Sequence, residues 1–120
     1  MPTGNLPDLA RLYFAAYETK DRAIVDGLLS EDFTFTSPLD DHIDRAAYFE
    51  RCWPNSAKIR TIAIEKLCEH GREIFVRYRL ALVTGAEFRN TELLRFASGK
   101  IAEVDVYFGR TLKEAPPEKQ

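Results

Sequence analysis

The chain has 120 residues, 45% of them apolar and 30% charged, with 8 Phe, 5 Tyr and 1 Trp. That is enough apolar side chain for one core and too little chain for two domains, which excludes both a disordered protein and a multidomain enzyme. Seventeen Lys and Arg against 19 Asp and Glu leave a formal charge of −2, and no long run of one sign forms, so no nucleic-acid partner is expected.

Met1 to Asn5 lacks the charged start and apolar run of a secretory leader, and the longest apolar stretches are only a few residues. The expectation is a cytoplasmic protein with no membrane partner. A first helix is predicted from Leu6, where Pro7 suits a first turn and Asp8 complements the positive end of the helix dipole. Leu9, Leu12, Tyr13 and Ala16 follow at helical spacing. Thr19-Lys20-Asp21 breaks the pattern, and Asp21 is placed to cap a second helix, Arg22 to Leu29. Phe33 to Thr36 alternates like a strand and stops at Ser37-Pro38. Leu39 to Ile43 reads as a polar loop, and Asp44 as the cap of a third helix, Arg45 to Trp53, closed by Pro54-Asn55.

The second half reads as a meander of four strands: Lys58 to Cys68, Arg72 to Thr84, Glu87 to Phe96 and Lys100 to Phe108. Glu69-His70-Gly71, Thr84-Gly85-Ala86 and Ala97-Ser98-Gly99 are short and glycine-bearing, as hairpin connections require. Gly109 is read with them as a turn or strand end. Residues 1–112 are expected to form the domain, with 113–120, which carries Pro116 and Pro117, as a flexible tail. Three helices followed by an antiparallel sheet is an α+β layout in which the helices cover one sheet face.

Strand parity singles out one acid. In Glu87 to Phe96 the even positions are Phe88, Asn90, Glu92, Leu94 and Phe96, while Arg89, Thr91, Leu93 and Arg95 take the other face. The even face is the inner one, so Glu92 and Asn90 stand among large apolar groups, where an acid needs a partner or a ligand. Glu92 at a solvated edge, or paired with an Arg, is the alternative. Tyr13 lies on the inward stripe of the first helix, either as a core aromatic or as a second polar group in the same cavity. An inward phenol and an inward carboxyl would make a donor pair for a developing enolate or alkoxide oxygen. Arg77, Arg79, Arg89, Arg95 and Tyr107 fall on the outer face, a composition suited to a polar dimer interface.

Asp40, Asp41 and His42 bring proton-transfer groups close together, with a solvated turn as the competing reading. Cys52 and Cys68 have no CxxC spacing, sit inside otherwise apolar segments and are expected as buried free thiols, Cys52 and Trp53 packing beneath the sheet. With two His and two Cys in no ligand pattern, no metal is expected. The glycines form neither GxGxxG nor a Walker pattern, and no GxSxG elbow occurs, so no nucleotide cofactor is expected.

Tyr13 on helix one, AIVDGLLSEDFTFTSP from Ala23 to Pro38 and TELLRFASGKIAEVDVYF from Thr91 to Phe108 together resemble the SnoaL-like branch of the nuclear transport factor 2-like superfamily, over nearly the whole chain. The resemblance implies a cystatin-like, cone-shaped α+β barrel: three N-terminal helices on a strongly bent, mostly antiparallel sheet, a pocket at the open end, and a homodimer through the outer sheet face. Its pocket wall would be drawn from Phe35, Ser37, Phe49, Trp53, Phe88, Asn90, Leu94, Val104, Val106 and Phe108. Within that superfamily ketosteroid isomerase pairs a helix-one tyrosine with a protonated acid on a late strand, and Tyr13 and Glu92 match those places. The isomerase's base precedes a proline after the first strand, where this chain has Ser37 before Pro38. Asp40, Asp41, His42 or Glu92 itself would then supply the base.

The function expected is a cofactor-free acid/base enzyme of isomerase, dehydratase or cyclase type, acting on a small apolar carbonyl or hydroxyl compound. A non-catalytic ligand carrier and an association module on the same fold are the alternatives.

Overall fold

Asn5 opens the first helix: its side chain accepts from Asp8 N at 3.0 Å and caps α1 (Leu6–Thr19), with Pro7 in the first turn. The structure, a computed structural model, describes residues 5–117, so the leader reading at residues 1–4 and the last three residues of the expected tail lie outside it. Helix α1 turns Leu9, Ala10, Tyr13, Phe14 and Ala16 inward and ends at Lys20, whose φ of 64° is left-handed. Asp21 caps α2 (Arg22–Leu28), accepting from Ile24 N at 3.2 Å.

Leu29 enters extended chain at once, so β1 runs Leu29–Ser37, longer than the alternation at Phe33 to Thr36 suggested. The polar segment after it is not a loop. It is a short edge strand, β2 (Asp40–Asp44), pairing Phe35 with Ile43 and Ser37 with Asp40. Charged residues are tolerated there because an edge strand wets one side, and His42, at φ 51°, takes up the irregular register. Asp44 caps α3 (Arg45–Arg51), accepting from Ala47 N at 2.9 Å. Pro54 cannot continue the α-helical ladder, so α3 stops before Trp53 and the chain tightens into a 3₁₀ turn, Trp53–Lys58.

Strands β3 (Ile59–His70), β4 (Glu73–Leu82), β5 (Glu87–Ala97) and β6 (Lys100–Lys113) form the expected meander. The sheet order is β2-β1-β6-β5-β4-β3, with β1 and β6 parallel and every other pair antiparallel. Register shifts in β1–β6, β3–β4 and β5–β6 mark the bulges that bend such a sheet. Glu114 to Pro117 follow β6 without regular structure.

Gly109 is interior to β6, where the sequence placed a turn or strand end. A Cβ there would fall 2.0 Å from the Arg89 carbonyl oxygen, so β6 approaches β5 more closely than any other residue permits. The helices cover the inner face, which carries Ile74, Val76, Leu94, Ile101 and Val104, all fully buried. On the outer face Arg77 and Arg89 pair with Glu65, Arg79 with Glu87 and Arg95 with Glu103, leaving Phe75 and Tyr107 exposed among them.

Candidate active site

Between α1 and the inner sheet face lies a cavity of about 180 Å³. Helix α1 contributes Tyr13, Phe14 and Tyr17; β1 contributes Phe35 and Ser37; the turn after it, Leu39; the start of β2, Asp40; and the chain after α3, Cys52 and Asn55. The wall is completed by Ile59, Ile62, Leu80, Glu92, Val106 and Phe108 from the other four strands. Leu39 and Phe108 are largely exposed and form its rim.

Glu92 is 7% exposed, on the inner face as its parity requires. Its Oε2 accepts from Tyr78 Oη at 2.6 Å, and Tyr78 Oη in turn accepts from Asn90 Nδ2 at 3.3 Å. Asn90 is oriented by Gly109 N, which donates to its Oδ1 at 3.2 Å. Glu92 Oε1 is buried without a hydrogen-bond partner among the described residues. Burial pushes the Glu92 carboxyl up to about 7, against the opposing pull of the Tyr78 bond. The acid is thus poised to gain or lose a proton near neutrality.

Opposite it stands a cluster of three phenols. Tyr48 Oη lies 3.0 Å from Tyr13 Oη and is also hydrogen-bonded to Tyr17 Oη. Tyr48 is fully buried among the rings of Phe33, Phe35 and Phe49. Burial holds all three phenols protonated well beyond the usual range, so they act here as hydrogen-bond donors and acceptors. Tyr13 and Glu92 do line one cavity.

The second acid of the cavity is Asp40. Its Oδ1 sits 2.5 Å from Arg51 Nη2 in an ion pair, and its Oδ2 takes a long contact from Cys52 Sγ at 3.9 Å. Burial first, and then the Asp40 charge, push the Cys52 thiol up to about 11, which makes it a poor nucleophile. Asp41 and His42 lie elsewhere. Both are exposed, with His42 Nδ1 2.6 Å from Asp41 Oδ1 and Nε2 3.5 Å from Glu103: the pleat turns Asp41 to the side opposite Asp40, and His42, at φ 51°, leaves the alternation.

Of the expected pocket wall, Phe35, Ser37, Val106 and Phe108 line the cavity. Six others do not. Leu94 and Val104 are fully buried behind it, Asn90 serves the chain to Tyr78, and Phe88 packs partly buried against the core. Phe49 lies beneath the guanidinium of Arg22, 4.4 Å away, and Trp53 meets Tyr17 edge-on at 4.8 Å. Tyr17, Tyr48 and Tyr78 were not singled out from sequence. Tyr17 stands one helical turn after Tyr13, and Tyr78 shares the inward parity of Ile74 and Val76, so those two carried a signal. Among the described residues no group of three or more His, Cys, Asp or Glu is placed to hold a metal, and no helix is long and apolar enough to cross a membrane.

The SnoaL-like domain family matches residues 10–104. The chain belongs to that family. Among curated proteins none matches. Solved structures with the same fold include an NTF2-like protein of unknown function from Cytophaga hutchinsonii, 24% identical, with 90% of this chain and 94% of that one covered and a TM-score of 0.73. A candidate ketosteroid isomerase from Kribbella flavida is 22% identical over 92% of this chain and 82% of its own, with a TM-score of 0.73. A candidate polyketide cyclase from Sinorhizobium meliloti is 19% identical over 84% and 94%, with a TM-score of 0.69. At such identities the likenesses establish the cone-shaped fold of this SnoaL-like domain and leave its chemistry to the site.

Proposed function

We propose that this SnoaL-like domain is a cofactor-free acid/base enzyme of isomerase, dehydratase or cyclase type, working on a small, largely apolar carbonyl or hydroxyl compound. One observation carries the reading: Glu92, a buried acid with one unpartnered oxygen and a carboxyl raised to about 7, shares a cavity with Tyr13. In an isomerisation, the Glu92 carboxylate takes a proton from the carbon beside the substrate carbonyl. The electron pair left behind moves onto the carbonyl oxygen, where Tyr13 donates a hydrogen bond, and the proton returns from Glu92 at another carbon. Asp40, fixed by Arg51, is the second acid within the same wall. The volume of about 180 Å³ accommodates a single ring, since an apolar cavity of about 150 Å³ holds benzene, and a larger substrate would extend past the rim of Leu39 and Phe108.

The test is hydrogen–deuterium exchange beside the carbonyl of single-ring ketones, followed by NMR. The wild-type chain should accelerate exchange, and Glu92→Gln should lose about 10²- to 10⁴-fold of that acceleration. No acceleration between pH 6 and 8, or none lost in Glu92→Gln, would overturn the assignment.

A non-catalytic carrier is the second reading, supported by Ser37 in the place of a base and by Asp40 being engaged with Arg51. A ligand bound tightly and recovered unchanged would favour it. The proposal also takes the domain as a cytoplasmic homodimer through the outer sheet face, where Phe75 and Tyr107 are exposed among paired arginines. Sedimentation of wild type against Phe75→Glu measures that association.

A further inference from the structure

The charge of the cavity is one-sided. Its lining contains two acids, Asp40 and Glu92, and no Lys, Arg or His. Asp40 has a counter-ion in Arg51 at 2.5 Å, whereas Glu92 forms no ion pair among the described residues. The hydrogen bonds that reach Glu92 also have a fixed direction. Gly109 N–H can only donate, so Asn90 turns its Oδ1 toward it and its Nδ2 toward Tyr78 Oη, and the Tyr78 proton then goes to Glu92 Oε2. Each proton along this chain points at Glu92, which makes the carboxyl its accepting end. Oε1 is buried and unpartnered, on a residue that lines the cavity, and so has room for one more donor. Around it Tyr13, Phe14, Tyr17, Phe35 and Phe108 supply aromatic surface, the setting in which an organic cation is held.

We propose that the ligand of this cavity is an organic ammonium ion of single-ring size or smaller, whose N–H donates to Glu92 Oε1 while its apolar body packs against the aromatic wall. The inference rests on the cavity being the ligand site; an ammonium on Oε1 occupies the oxygen that Tyr78 leaves free, so such a ligand competes with the proton abstraction assigned to Glu92. An anion of the same size is refused, because it would meet Glu92 with no cation in the lining to offset it.

The full chain is titrated with benzylammonium, benzyl alcohol and benzoate at pH 8, following the backbone amide shifts of Tyr13, Glu92 and Val106. Benzylammonium should bind about tenfold tighter than benzyl alcohol, as a charge-assisted bond does over a neutral one, and benzoate should leave these amides unmoved. Glu92→Gln keeps the side-chain size and the Tyr78 contact, and should erase the preference. Raising the pH from 5.5 to 8 should tighten benzylammonium as Glu92 ionises. The groups that face it, Tyr13 and Tyr17 on α1, Tyr48 on α3 and Tyr78 on β4, stay neutral over that range, and Asp40 keeps its Arg51 partner. Equal affinity for the alcohol, binding of benzoate, or a preference that survives Glu92→Gln would each overturn the inference. Binding of the alcohol without any gain for the ammonium would sink it while leaving the cavity as the ligand site. Silence from all three probes would remove both.

Discussion

Tyr78 on β4 donates to Glu92 on β5 over 2.6 Å, although the register sets Tyr78 opposite Asn90 and Glu92 opposite Val76. The bond therefore runs diagonally across the inner face, within the reach of a long aromatic side chain on a twisted antiparallel pair. It fixes one carboxyl oxygen against the sheet and leaves the other buried beside the cavity. The chemical state of Glu92 follows from these two facts.

Stability should fall as pH rises through the window from 4.5 to about 7, because the folded chain holds the Glu92 proton where the unfolded chain has already released it. The effect is fully present above that window and amounts to about 3 kcal/mol. Glu92→Gln should flatten this part of the profile and be more stable than wild type at pH 8. Urea unfolding at pH 5 and pH 8 measures both, and parallel profiles for the two proteins would contradict the assignment.

Tyr78→Phe removes the bond that lowers the Glu92 carboxyl and leaves Asn90 Nδ2 without its acceptor. The Glu92 midpoint should move above about 7 in a carbon-detected titration of the carboxyl. Stability should drop by about 1–3 kcal/mol, the cost of an unsatisfied buried donor.

Cys52 should react slowly with iodoacetamide, since burial and the neighbouring Asp40 keep it a thiol. Cys68 is exposed, against the burial expected of it, because its side chain falls on the open part of β3; in a Cys68→Ser background Asp40→Asn should accelerate alkylation at pH 8 by about threefold or more. An unchanged rate would mean that burial alone governs this thiol.

Gly109→Ala places a methyl group 2.0 Å from the Arg89 carbonyl oxygen, and backbone on both strands must move to admit it. A loss of about 3 kcal/mol or more is expected by thermal unfolding. In whatever fraction remains folded, the side-chain amide shifts of Asn90 should report a lengthened bond from the backbone N–H at position 109.

Much of this arrangement was legible in the residues themselves. Two-residue periodicity from Glu87 to Phe96 placed Glu92 and Asn90 inside, and Asp21 and Asp44 read correctly as caps because their side chains satisfy the free amides of a first helical turn. Asp40 to Asp44 misled, since acids that favour turns are equally at home on a short edge strand with one wet side. The Tyr13–Tyr48–Tyr17 cluster stayed hidden for another reason. Tyr48 lies 35 residues from Tyr13, and no local spacing encodes a contact made when β1 and α3 fold back beneath α1. Leu94 and Val104 share inward parity with pocket residues yet sit one layer deeper, because parity tells which face a side chain takes and not how far along the cone it lies.

The end of α1 does more than place Tyr17. Glu18 Oε2 accepts from Ile62 N at 2.7 Å and Lys20 Nζ donates to Ile59 O at 2.7 Å, so a helix terminus occupies the outward backbone groups of β3 at the cavity end. Because β3 is the last strand of the sheet, these two side chains act as a stopper against strand-by-strand growth: a foreign segment seeking to extend the sheet would first have to evict them. Self-association along that margin is thereby discouraged next to Ile59 and Ile62, which belong to the cavity wall.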